Sequence, residues 1–216
     1  MNKSINLLVF SFSLLFFLPA CQNNSDKKER NNNFPKQDSA SFANQEKISN
    51  SFAGVDLSPM DLSYYPVDYP IQKMTGSIST PPVMRLIYSR PHLQGRKLFR
   101  DLLKYGQHWR LGANEATEIE FYREVIIQSK KIPAGRYILY CIPEETKWTI
   151  VLNNNIDTWG LQIDSTKDFQ RFIIPVTRNN PEMEYLTLVF EKTGNGTNLI
   201  ISWSDFLAKL PIEFIS

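Results

Sequence analysis

The sequence is poor in the residues from which metal and nucleophilic sites are usually built. It has two cysteines and two histidines in 216 residues, and His92 and His108 are sixteen positions apart. No HExxH, CxxC, GxSxG, GxGxxG or Walker pattern occurs. A metal site would need both histidines with Glu115 or Glu118, and two loop histidines in solvent are the simpler interpretation. We therefore expect no metal, no cofactor and no catalytic residue of a familiar type.

Charge of one sign and long apolar runs are also lacking. The 24 basic and 22 acidic side chains leave a net charge of +2, with no basic tract, which argues against a nucleic-acid partner.

The longest apolar run, residues 5–18, is shorter than the ~20 residues that a membrane-spanning helix needs. It follows Lys3 and ends in LPAC. This arrangement predicts a signal peptide over residues 1–20 and a lipid-carrying Cys21 that resembles a bacterial lipobox; an ordinary secretory signal is the alternative.

Lipidation would place the mature protein on a membrane without a spanning segment. Two or three acyl chains, palmitate among them, suffice for stable anchoring. Gln22 stands where Asp would retain a lipoprotein in the inner membrane, so we expect the protein on the outer membrane, on a face that the sequence leaves open.

If Cys21 carries the lipid, Cys141 is the remaining thiol. Because it lies in the apolar run RYILYCIP, we predict a buried structural cysteine.

The rest of the chain divides into a tether and one domain. Residues 21–57 are rich in Asn, Ser, Gln and Lys and poor in apolar residues, which predicts a flexible segment. Residues 58–216 alternate apolar and polar side chains with period two in about eight short runs. KTGNGT is a hairpin signal, and only residues 96–106 and 203–210 could form a helical turn. We predict an all-β domain, a single antiparallel β-sandwich with jelly-roll-like or Ig-like connections.

The domain contains a series of short motifs rich in glycine, arginine and aromatic residues. They are Tyr88-Ser89-Arg90-Pro91, Gly95-Arg96, Tyr105-Gly106, Trp109-Arg110, Gly112-Ala113-Asn114-Glu115-Ala116-Thr117, Pro133-Ala134-Gly135 and Trp159-Gly160. Through these motifs the chain resembles the domain of unknown function 2911 family, over about residues 58–216. The resemblance implies a secreted or lipid-anchored bacterial β domain and no assigned activity. Leu111 stands where the family usually has Thr, so a ligand contact by that Thr would be changed here.

Polar and aromatic residues concentrate between positions 85 and 120, with a tryptophan further along. Arginine suits carboxylates, phosphates and sugar hydroxyls, and tryptophan offers a flat face to sugar rings. The alternative is structural, because long loops over a sheet need internal hydrogen-bond partners. For Trp159 we prefer a buried loop anchor to an exposed stacking ring. The candidate binding residues are Arg90, Arg96, Trp109, Arg110, Asn114, Glu115 and Trp159.

Three functions remain open. We favour a non-catalytic module of the cell envelope that binds a glycan, a small molecule or a protein partner. A glycan-acting hydrolase using Glu115 is the alternative, although Glu118 and Glu120 are better explained as a solvated strand face opposite Ile119 and Phe121. A structural subunit of an envelope complex is the third. An enzyme requires Glu115 or Glu118 in a cleft beside a second titratable group, a binder requires exposed aromatic rings, and a structural subunit requires an apolar patch without a pocket.

Overall fold

The computed structural model describes residues 56–215, apart from the side chain of residue 179. The predicted signal peptide, Cys21 and nearly all of the tether lie outside these residues. The described residues belong to one compact unit. Across positions 56–215, no helix has the length and apolar character needed to span a membrane.

The described part of the chain is mostly β-structure, as the sequence predicts. It contains nine strands, one six-residue helix α1 (Tyr69–Met74), a π-helical turn at Leu98–Leu102 and a 3₁₀ turn at Ser165–Lys167. The π-helical turn confirms the first predicted helical segment. The strands are β1 (Met60–Tyr65), β2 (Met84–Ser89), β3 (Glu118–Phe121), β4 (Val125–Ile127), β5 (Lys130–Ile132), β6 (Gly135–Pro143), β7 (Lys147–Asn153), β8 (Asp168–Lys192) and β9 (Gly196–Phe214).

All strand pairs are antiparallel, in the order β1-β2-β3-β6-β7-β8-β9-β4-β5. The described residues form nine strands where the sequence predicts about eight, and the second predicted helical segment is wrong. Residues 203–210 are strand, because Phe206 and Ala208 pair with β8 and turn their side chains into the core. The run TEIEFYREVIIQ is two strands, since Phe121 pairs with β2 and β6, whereas Val125 pairs with β5 and β9 at the other end of the sheet.

The long strands β8 and β9 bend the sheet into two packed layers. The first part of β8 pairs with β7, and its later part pairs with β9. The register shifts between Arg178 and Met183, opposite Ser204, whose φ of 54° is left-handed. Such an irregularity increases local twist and turns the strands. Residues that look like separate strands in sequence are therefore continuous through this bend.

Side chains from both layers meet in one apolar core. The ring of Trp148 on β7 stacks on Phe206 of β9 at 6.3 Å, and Tyr65 on β1 contacts Phe190 of β8 edge to face. The Leu188 N–H of β8 donates to the Tyr88 hydroxyl on β2 at 3.1 Å. Burial raises the pKa of Tyr88 to about 12. These contacts give the sandwich-like packing that the alternating pattern predicts.

The buried position predicted for Cys141, on β6, is confirmed. Cys141 is fully buried in the core cluster. Burial raises the pKa of its thiol well above the ordinary value, because a thiolate is poorly solvated in an apolar interior. Cys141 is therefore a structural residue, as expected from the run RYILYCIP.

Strands β1, β2, β3 and β6 turn one face toward the core. We call their other face the outer face. Ile119 and Phe121 of β3 enter the core, so Glu118 and Glu120 point to the outer face. Ile138 and Tyr140 of β6 are also buried although they do not belong to the core cluster. The segment after β7, residues 154–167, packs over this side of the sheet. Its end is held by the Tyr140 hydroxyl, which donates to the Asp168 carboxylate at 2.9 Å.

Candidate outer-face cleft

A cleft of about 380 Å³ opens on the outer face. Its floor comes from adjacent strands, because the register places Ile87 of β2 opposite Glu118 of β3, and Glu118 opposite Ile138 of β6. Its walls come from two loops, the one before β3 and the one after β7. The lining residues are Met60, Ile87, Glu115, Ala116, Glu118, Arg136, Ile138, Asp157, Thr158 and Trp159.

Trp159 presents its side chain to solvent at the edge of this cleft. It is 55% exposed, so the preferred interpretation of a buried loop anchor is wrong. The anchor is the next residue. Gly160 adopts a φ of +76° and packs so closely that a Cβ there would lie 2.7 Å from the Cβ of Ala116. The Arg110 guanidinium also donates to the Trp159 carbonyl oxygen at 3.2 Å. The backbone is thus fixed while the indole ring remains free.

Glu115 supplies a carboxylate on the other loop that lines the cleft. Its side chain is exposed, and within residues 56–215 it has no hydrogen bond or ion pair. The preceding Asn114 has a left-handed φ of 56°, a conformation that asparagine tolerates better than most residues. Its amide donates to the Asp56 carboxylate at 2.8 Å and to the Ser58 carbonyl at 3.3 Å. Asn114 therefore holds this loop to the residues just before β1, and Glu115 is the charged residue of the motif that lines the cleft.

A second group of charges in the cleft is already paired. The Arg136 guanidinium donates to both oxygens of Glu118 at 2.9 and 2.6 Å, and to Asp157 at 3.0 Å. These hydrogen bonds, that to Glu118 first, raise the pKa of Arg136 above its ordinary value. The sequence analysis missed Arg136 and Asp157. The signal for Arg136 was its position two residues before Ile138 on the same strand face, which becomes useful only when the strand register is known.

Three of the remaining candidates have structural roles in the described chain. Trp109 is buried between Trp148 and Trp203, with ring centroids 5.8 and 5.9 Å away. Arg90 donates to the Leu186 carbonyl at 3.2 Å and pairs with Asp61. Arg96 donates to the Leu93 and His92 carbonyls at 2.8 and 2.9 Å. None of the three lines the cleft. These arginines use their donors to hold loops, which is the alternative that the sequence left open.

Arg110 and Leu111 lie beneath the cleft walls and do not line it. Burial lowers the pKa of Arg110, consistent with a guanidinium that supports the loop carrying Trp159. Leu111 is fully buried and belongs to the core cluster. The Leu that replaces the usual Thr therefore faces the interior, and it does not alter the surface of the cleft.

The two histidines contact different aromatic rings. His92 stacks on Tyr185 at 5.0 Å, and His108 meets Tyr140 edge to face at 5.2 Å. Within residues 56–215, no three His, Cys, Asp or Glu side chains are grouped so that they could hold a metal ion. The charged side chains that line the cleft are three carboxylates and one guanidinium, and the exposed Trp159 ring lies beside them.

Comparison with known proteins assigns the chain to a family. The family described as Protein of unknown function (DUF2911) matches residues 70–212, more than half of the chain. The chain belongs to this family. No curated protein and no solved structure matches it. Glu115, Arg136 and Trp159 fall inside the DUF2911 match, whereas Met60 on β1 precedes it.

The close approach of Gly160 to the neighbouring loop leads to a testable prediction. We expect Gly160→Ala to lower the free energy of unfolding by about 1–3 kcal/mol more than Gly106→Ala, measured by urea denaturation. Gly106 has a similar φ of +75° but no atom within 4 Å of an added Cβ, so it controls for backbone strain alone. Equal losses for the two variants would contradict the tight packing of the loop that carries Trp159.

Proposed function

We propose that this DUF2911 protein is an outer-membrane lipoprotein whose β domain binds a glycan of the cell envelope in the outer-face cleft, without converting it. The observation that carries the proposal is the presence in one cleft of an exposed Trp159 ring and of the Glu115 carboxylate, which has no hydrogen bond or ion pair within residues 56–215. Indole faces stack on sugar rings, and a carboxylate accepts hydrogen bonds from hydroxyl groups. The cleft volume of about 380 Å³ falls in the ordinary range for ligand sites.

The charges of the cleft favour a hydroxylated ligand over a small anion. Glu115, Glu118 and Asp157 line it, whereas Arg136 is the one positively charged lining residue among residues 56–215 and already bonds Glu118 and Asp157. An anion would meet unfavourable carboxylates and would have to compete for that guanidinium. The other candidate arginines donate to backbone carbonyls, and Arg90 also pairs with Asp61. A sugar, in contrast, brings hydroxyl donors that match the surplus of acceptors.

The proposed location rests on the N-terminal sequence. LPAC follows an apolar run of signal-peptide length, and Gln22 follows the cysteine. Acyl chains on Cys21 would anchor the protein, and the polar residues after it would separate the domain from the membrane surface. A domain on a tether of this composition can reach polymers at some distance from the bilayer.

Trp159→Ala should weaken glycan binding at least about tenfold, equivalent to ~1.4 kcal/mol, because it removes the stacking surface. The measurement is a glycan array followed by isothermal titration calorimetry, with residues 22–216 so that the lipid is omitted. Leu161→Ala is the matched control: Leu161 lies in the same loop and is 71% exposed, but it does not line the cleft. A glycan bound equally well by wild type and Trp159→Ala would contradict the proposed site.

A hydrolase is the second candidate, because one observation favours it. Glu115 and Glu118 share a cleft with Asp157, which meets the condition stated for an enzyme. Glu118 is engaged by Arg136, leaving Glu115 as the carboxylate free to act as acid or base. Release of reducing sugar by the wild type, lost in Glu115→Gln with binding retained, would establish catalysis. The structural-subunit alternative predicts no pocket and is therefore less well supported by this surface.

A further inference from the structure

A second cleft lies at the other end of the same strands. It has a volume of about 320 Å³, and its lining includes Pro66, Val83 and Tyr122. The first cleft is located where β2 ends and β3 begins, at Ile87 and Glu118. The second is located where β2 begins and β3 ends. The two clefts therefore stand at opposite ends of β2 and β3.

The outer face of β1, β2 and β3 connects them. Tyr122 directly follows β3 and its N–H donates to the Val83 carbonyl at 2.9 Å, so the strand alternation places it on the same face as Glu118 and Glu120. Burial raises the pKa of the Tyr122 hydroxyl, and the neighbouring Glu120 carboxylate adds to the rise. Tyr122 follows Glu118 by four positions, so the surface extends about 13 Å along the strand from the Trp159 cleft to Tyr122.

The side chains on this connecting face suit an uncharged polar polymer. Leu62 of β1 is 49% exposed, and it lies opposite Ile87 in the register. Beside them, Arg85 and Glu120 form an ion pair at 2.8 Å. The pair sums to no net charge, and its two paired atoms, Arg85 Nε and Glu120 Oε2, are buried. The partly exposed Arg85 side chain still carries its terminal N–H groups, which can donate to hydroxyls. Tyr122 is 36% exposed and provides an aromatic ring at the far end, as Trp159 does at the near end.

We propose that the two clefts and the outer face between them form one elongated surface for a linear glycan, with Trp159 and Tyr122 contacting sugar units near its two ends. This inference rests on the proposed function, because it extends the same site. It adds the ligand class: a chain of several sugar units that lies along β2 and β3. A single terminal sugar would occupy the Trp159 cleft alone and would leave Tyr122 without a role.

Chain-length dependence tests the inference. Residues 22–216 are titrated calorimetrically with matched disaccharides and hexasaccharides of β-linked N-acetylglucosamine, β-linked glucose and α-linked mannose. We expect the hexasaccharide of at least one series to bind more than about tenfold more tightly than its disaccharide, or ~1.4 kcal/mol. That threshold exceeds the gain from the larger number of equivalent positions on a longer chain. Tyr122→Ala should remove this advantage without changing disaccharide affinity.

Two control variants separate the role of the ring from a general surface effect. Tyr122→Phe keeps the aromatic face and should keep the chain-length advantage. Tyr185→Ala removes an exposed tyrosine on β8, which lines neither cleft, and should leave both affinities unchanged. Equal di- and hexasaccharide affinities that depend on Trp159, or a full advantage in Tyr122→Ala, would overturn the elongated surface and leave the proposed function standing. Failure of all three series to bind would overturn both.

Discussion

Replacing Trp148 with alanine is expected to lower the free energy of unfolding by about 3–5 kcal/mol, the usual cost of deleting a large aromatic side chain from a core. Trp148 on β7 is fully buried. Its ring meets Trp109 edge to face at 5.8 Å and stacks near Phe206 at 6.3 Å. These contacts connect β7, the loop before β3 and the middle of β9. The substitution therefore removes packing between the two layers as well as buried apolar area.

Trp159→Ala provides the matched comparison for that experiment. It deletes the same side chain from an exposed position and should change the free energy of unfolding by no more than about 0.5 kcal/mol. Urea denaturation followed by circular dichroism measures both variants without relying on tryptophan fluorescence. Comparable losses for Trp148→Ala and Trp159→Ala would mean that Trp159 is packed, and the proposed stacking surface would then be lost as well.

Gly196→Ala is expected to cost about 3 kcal/mol or more, at the upper end of overpacking effects. Gly196 begins β9, and an added Cβ would overlap the carbonyl oxygen of Ile212 near the end of the same strand. It would also lie 2.9 Å from the Cα of Glu213. Because these are backbone atoms, a side-chain rotation cannot relieve the overlap. The substitution should force apart the two ends of β9, which the Phe214 N–H also joins by donating to the Asn195 carbonyl at 3.0 Å.

Gly194→Ala is the control in the same hairpin. An added Cβ at Gly194 has no atom within 4 Å, so we expect a change of no more than about 1 kcal/mol. Thermal and urea unfolding of the two variants would be compared with the wild type. A Gly196→Ala protein as stable as Gly194→Ala would show that the ends of β9 do not approach each other as closely as described.

Local pattern was sufficient to predict most of the strands. The alternation in MRLIYS, EIEF and KWTIVLN matches the burial of Met84, Ile119 and Trp148, because period-two apolar residues can face one side of a sheet. The KTGNGT turn joins β8 to β9 as expected. The bend within β8 and β9 was missed, since polar residues near Arg178 resemble a loop when their pairing with Phe206 and Ser204 is unknown.

The candidate site shows where local pattern becomes insufficient. Glu115 and Trp159 were selected from sequence and both line the cleft, whereas Arg90, Arg96 and Trp109 are occupied by internal contacts. Residue type alone cannot distinguish an arginine that holds carbonyls from one that is available to a ligand. The same limit applies to Arg136 and Asp157, which join the cleft from segments far from Glu115 in sequence.

By itself, the sequence determined the all-β class and the alternation that separates the core face from the outer face. It also determined the family resemblance and the expectation of a lipid anchor. Each of these depends on neighbouring residues or on a short motif. Tertiary structure alone decided which loop side chains are free. Trp109 and Trp159 both lie in polar, glycine-containing segments, yet the first is enclosed by Trp148 and Trp203 and the second is exposed. The difference arises from partners distant along the chain, since burial depends on every neighbour in space.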